Sequence, residues 1–281
     1  MLVGIFASAV VQEYLSARMV MRLMPRRPLP AILLGSLGGL LVPVCDCGAI
    51  PLARRLIAKG VPVSAGLTFL LAAPVVNPIV LLATGLAFQG NVGVVVLRVL
   101  MTLSVAIGVG WLASVWLPDA RLKLPGLLES PSDPDKDGAS QLAARRRIAA
   151  ILSQASTEFF DIFFFVALGG LFTAVTQTFV PRADLAAFGS RPVASVLALM
   201  PVASVLSICS EADAFVARAF ATSFSPGSVL AFMTIGQIVD LRNGLLLFRT
   251  LGARLVMLIV GVGYGLVLVE GVVLNAVLGS A

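Results

Sequence analysis

The chain has 281 residues, 59% of them hydrophobic and 12% charged, with a mean hydropathy of +1.03. That mix lies outside what a water-exposed globule carries and makes a bilayer the implied solvent. The net charge of +6 and pI near 9.9 come without a basic helix with interleaved aromatics, so they read as basic loops on the cytoplasmic side of a membrane rather than as a nucleic-acid footprint.

The first residues, MLVGIFASAVVQEYL, lack a basic n-region and run into Gln12 and Glu13, so they read as a first membrane helix rather than a secretory signal. Its roughly 15 apolar residues reach only about 22 Å at the helical rise, which implies a start downstream of the usual one or a locally thinned bilayer. Further apolar segments follow near 30–44, 61–88, 92–117, 152–180 and 225–275, several of them long enough to cross.

Between 118 and 147 the sequence PDARLKLPGLLESPSDPDKDGASQLAARRR is rich in Pro, Asp and Ser and has no apolar period, the pattern of a solvated linker. The two sides of that linker match at a shift of about 164 residues. Pro43 to Ser64 lies on Ser207 to Ser228, pairing Cys45 with Cys209, Arg54 with Arg218, Pro62 with Pro226 and Ser64 with Ser228. One residue of slippage then sets Phe69 on Phe232 and Asn77 on Asp240. This predicts a duplication, with residues 1–117 and 148–281 as its copies.

Charge decides how the copies face. If every apolar segment crosses, the 20 Lys and Arg divide evenly, against the positive-inside rule. If the segment from about 30 to 60 turns back at Cys45-Asp46-Cys47-Gly48, and its counterpart does the same, only Arg98, Arg182, Arg191 and Arg218 stand opposite the rest. The expectation is an all-α integral membrane protein of two inverted-topology repeats, each of three transmembrane helices plus one re-entrant helical hairpin. The linker is then cytoplasmic, and the membrane a bacterial inner membrane.

Non-helical backbone at membrane depth is tolerated where protein buries it or a wet cavity meets it, so the two hairpin tips are the expected site. They carry all three cysteines, Cys45, Cys47 and Cys209, with Asp46, Glu211 and Asp213 beside them. Thiolates are soft ligands, so the three sulfurs are candidate ligands for a metal or a trivalent metalloid, against the plain alternative of small packing residues. Asp46, Glu211, Asp213 and Asp240 are candidates for cation contact or proton coupling, with Arg54 and Arg218 as possible ion-pair partners.

The third helix of each copy is expected to break, at Pro74, Asn77 and Pro78 in the first and at Gly236, Gln237, Asp240 and Asn243 in the second, freeing carbonyls and half-helix dipoles for a solute. Glu270, with Glu13, Glu158 and Asp161, is expected near a hydrated helix end. The Gly35–Gly39 and Gly261–Gly265 stretches read as close helix packing. With no His there are no His metal sites, proton relays or His-dependent triads, and no nucleotide or cofactor motif is present, so neither an enzyme nor a bound cofactor is expected.

VPVCDCGAIPLARRLIAKGVPVSAGLTFLLAAPVVNPIVLLAT in the first half, with LSICSEADAFVARAF and FSPGSVLAFMTIGQIVDLRN in the second, resembles the bacterial predicted permease family that includes the ArsP and YraQ proteins. The resemblance spans nearly all of the chain except the linker. It implies secondary-active export of a small thiophilic solute such as a trivalent organoarsenical, with Cys45, Cys47 and Cys209 as contacts. Cys-Asp-Cys replaces the Cys-Ser-Cys or Cys-Glu-Cys of relatives, and the added acid points to a cationic cargo or a proton. A passive channel, or a membrane subunit that scaffolds a partner, is the alternative.

Overall fold

Proline and asparagine set the helix starts. The computed structural model describes residues 28–41, 49–50, 52–53, 56–57, 61–116, 192–240, 244, 247–248 and 253–278. The expected first helix, the linker and the 152–180 segment lie outside them. Eight helices span the described residues: α1 (Pro28–Leu41), α2 (Val63–Ala72), α3 (Pro78–Ala87), α4 (Val92–Trp116), α5 (Pro192–Leu206), α6 (Asp213–Phe220), α7 (Pro226–Ile238) and α8 (Ala253–Leu278). Pro78 and Pro226 each stand in the first turn, where a missing N–H is no loss. Asn77 accepts from Ile79 N at 3.0 Å and so caps α3, while Asn91 accepts from Gly93 N and Val94 N at the start of α4.

The same packing occurs twice. In the first half α1 lies on α2 and α4, and α2 on α4; in the second α5 lies on α7 and α8, and α7 on α8. Direction follows from which residues meet. Gly35 approaches Ala65 and Gly39 approaches Ala73, so α1 and α2 run parallel. Ser195 bonds Ser225 and Ala203 meets Gly236, so α5 and α7 also run parallel. Between the halves, Ser104 bonds Glu270 and Gly108 meets Leu266, so α4 and α8 are antiparallel.

Burial sorts the helices into two layers. Residues Ser64 to Ala72 of α2 and Gly227 to Ile238 of α7 are buried on every side. A helix apolar all round belongs in a core or a membrane, and the hydroxyls of Thr68 and Thr234 are satisfied by carbonyls one turn back. Around them α1, α4 and α8 show outward apolar stripes: Leu29, Leu33 and Leu37; Val92, Val96 and Leu100; Val269, Val273 and Val277. So much contiguous exposed apolar surface suits lipid and not water.

Among the described residues, α4 and α8 alone are long and apolar enough to cross a bilayer, at about 37 and 39 Å against a ~30 Å core. The other apolar helices are shorter pieces. The glycine expectation divides: Gly35 and Gly39 sit against the α2 backbone, but Gly261 and Gly265 face open space and only Gly263 between them touches α7, at Ile238. Spacing explains the difference: Gly35, Gly38 and Gly39 stand three and four apart on one face, whereas a two-residue step turns Gly263 about 200° away from Gly261 and Gly265.

Candidate functional site

In the first half the interruption falls where Pro74 and Pro78 stand. α2 ends at Ala72, residues 73–76 form a turn, and α3 restarts at Pro78 under the Asn77 cap. The second half differs. Gly236 does not break α7, which continues to Ile238 and ends on the extended Val239. Glycine in a helix interior costs about 1 kcal/mol of propensity but keeps its N–H, so the ladder runs through it. What Gly236 provides is closeness, since a Cβ there would stand 3.3 Å from Ala203 Cβ. Asp240 follows the end of α7 and is buried.

The expected tip in the second half falls in a gap between two helices. α5 stops at Leu206, Ser207 takes the left-handed φ of 46°, and the chain stays non-helical through Ala212. The Cys209 carbonyl closes the turn by accepting from Ala212 N at 2.9 Å and Asp213 N at 3.0 Å. Cys209 and Glu211 are half-buried, whereas Ser207, Ser210 and Asp213 are buried. From this turn α6 leaves to pack on α7 and on α3 of the other half. Cys45, Asp46 and Cys47 lie outside the described residues. Among the described residues no three His, Cys, Asp or Glu side chains gather as metal ligands.

Asp213 is where the halves join. Its Oδ2 accepts from Arg98 Nη2 of α4 at 2.7 Å and from Gln237 Nε2 of α7 at 2.8 Å. Arg98 is fully buried; its Nη2 also lies 3.4 Å from the Ser210 carbonyl, and its Nη1 donates to Thr84 Oγ1 at 2.8 Å and reaches the Met233 sulfur at 3.8 Å. Thr84 passes its own proton to the Val80 carbonyl. A guanidinium suits this position because it stays charged and offers several donors in one plane.

Three sequence expectations change here. Arg98 is not a charge at a membrane face: it sits roughly 9 Å along α4 and points inward, because burial is tolerable only against a carboxylate and oxygen acceptors. Arg218, expected as a partner for the tip acids, instead lies over the Phe88 ring at 5.8 Å, keeping its charge exposed. Glu270 is in the interior of α8 rather than near its end, and accepts from Ser104 Oγ of α4. Thr84, Ser210 and Met233 were missed, having no local signal; Arg98 had one, as the single charge in an apolar run of crossing length.

Among the described residues, Arg98 Nε, Ser210 Oγ and Gln237 Oε1 have no hydrogen-bond partner. Polar atoms left open inside a buried cluster are uncommon and leave both a donor and an acceptor available there. Beside them a recess between the halves is lined by Pro74, at the first-half break, and by Gln237 and Ile238, at the end of α7, with Ile50, Leu70, Leu71 and Leu247.

Two halves with matching packing, joined at a buried polar cluster within an apolar exterior, suit an all-helical membrane protein, and the family match makes it a membrane transporter. The "Predicted permease" family of the ArsP type matches residues 1–276, and the chain belongs to it. It is 37% identical to the UPF0718 protein YcgR of Bacillus subtilis over 259 residues, 92% of this chain and 86% of that protein. Over 260 residues, 92% of this chain and 85% of the other, it is 31% identical to a Streptococcus mutans protein named "Putative two-component membrane permease complex subunit". No solved structure matches.

Proposed function

We propose that this permease works in a bacterial inner membrane and exports a small thiophilic solute, of the trivalent organoarsenical kind or a soft cation, by secondary-active alternating access. Cargo passes through the junction of the halves, between the tips at Cys45-Asp46-Cys47 and Cys209 and the helix breaks at Asn77 and Asp240. The repeats are inverted, residues 118–147 are cytoplasmic, and Asp46, Glu211, Asp213 and Asp240 are the acids available to a coupling proton. Antiparallel packing of α4 against α8, which correspond in the repeat, supports the inversion.

The observation that carries the reading is the Arg98–Asp213–Gln237 cluster, buried inside an apolar envelope and adjoining the Cys209 turn. Ionisable groups at membrane depth are costly and mark solute or proton paths. A resistance panel of metalloids and soft metals in a sensitive host tests it. The parent gene raises tolerance to a trivalent organoarsenical or a soft metal, and Cys45→Ser, Cys47→Ser and Cys209→Ser lose that gain. Identical growth of all four across the panel rejects the soft-ligand site.

The name of the Streptococcus mutans relative favours a second reading, in which this chain is one component of a two-subunit permease, whether as a channel or as a scaffold. Purified chain in proteoliposomes separates the two. Accumulation against a gradient by the chain alone supports a self-sufficient carrier, and activity only on adding a co-expressed second subunit supports the complex.

A further inference from the structure

We propose that Arg98 is the positioning residue of the transport site: from the first half it holds the Cys209 turn of the second half in register with the helix breaks. This rests on reading the junction as the cargo pathway. The turn is a short non-helical stretch between α5 and α6. Its backbone closes on the Cys209 carbonyl, Ser207 carries a left-handed φ, and α6 beyond it is only eight residues long. From across the junction Arg98 supplies two bonds, one to each end of the Ser210–Asp213 stretch.

Arg98 is itself held. Thr84 on α3 takes Nη1, and Thr102 donates to the Arg98 carbonyl at 2.9 Å. Because the position of Thr84 depends on where α3 begins, and Asn77 and Pro78 fix that start, a chain of contacts runs from the first-half break through Arg98 and Asp213 to Gln237, the penultimate residue of α7. Stability alone does not account for the pair. A buried ion pair adds little over well-packed apolar residues of the same volume, whereas a planar fork gripping a carboxylate and a carbonyl fixes geometry.

The test needs no cargo. In a Cys45→Ser/Cys47→Ser background, Cys209 is the sole thiol, and its modification by N-ethylmaleimide in membranes reports how firmly the turn is held. Loss of a charge-assisted bond shifts a local opening by about tenfold or more, so Arg98→Gln and Asp213→Asn are expected to label that much faster than the parent. Arg98→Lys, which keeps the charge but lacks the planar fork that reaches Thr84, Ser210 and Asp213 together, is expected to label at a rate between those of the parent and Arg98→Gln. Gly39→Ala, which strains the other half, serves as the control for general loosening and is expected to label at the parent rate. If Arg98→Gln does not accumulate, the near-isosteric Asp213→Asn carries the test. Parent-like labelling of the Arg98→Gln and Asp213→Asn variants that accumulate, or equal acceleration by Gly39→Ala, overturns the role of Arg98. Neither result bears on the permease reading, which stands or falls on the resistance panel.

Discussion

The two halves make the same crossing with opposite residues. In the first, Gly39 of α1 meets Ala73 at the end of α2; in the second, Ala203 of α5 meets Gly236 of α7. A small pair at this point lets two backbones approach, and which helix supplies the glycine is immaterial to that approach. Charge is distributed otherwise: the described cluster takes its cation from the first half and its acid and amide from the second. Geometry is shared between the halves, and chemistry is divided between them.

The largest effect expected from disturbing that division is at Arg98. Arg98→Met leaves the Asp213 carboxylate buried without its cation and should cost about 3–5 kcal/mol, read as a lowered melting temperature of the purified protein in detergent. Adding Asp213→Leu to it should recover most of the loss, since two apolar groups replace two charges. A double variant no more stable than the single one would show that the ion pair is not the coupling between the halves.

The glycine comparison comes next. A Cβ at Gly39 would run into the Ala73 backbone, so Gly39→Ala should cost about 1–3 kcal/mol. At Gly236 the tightest approach of the new methyl is 3.3 Å to the Ala203 methyl, with the Ala203 backbone at ordinary contact distance, and the helix gains propensity, so Gly236→Ala should stay within about 1 kcal/mol of the parent. Equal losses at both sites would mean that the crossings are not equivalent in the way described. Asn77→Ala removes the α3 cap and should cost about 1 kcal/mol. Least of all, Gly265→Ala points into open space and should leave melting unchanged or slightly raised.

Part of this was legible in the sequence. Polar and proline anchors at a constant offset pointed to two halves whose helices pack in the same pattern, because capping and turn residues depend on local backbone alone. Pro74, Asn77 and Pro78 marked their break for the same reason. Gly236 misled, since a glycine that permits close approach and one that ends a helix look alike until the neighbouring Ala203 is known. Partner choice was equally hidden. Arg218 lies five residues from Asp213 and Arg98 lies 115 away, yet only the latter reaches it, because the fold brings α4 and α6 together while Arg218 turns outward over Phe88.

Transport itself is the most direct test of the junction as a pathway. Everted membrane vesicles carrying the parent should accumulate phenylarsenite against its gradient when energised, and vesicles carrying Cys209→Ser should not. Accumulation by Cys209→Ser equal to that of the parent would contradict the account, because cargo would then be crossing without the turn on which the two halves converge.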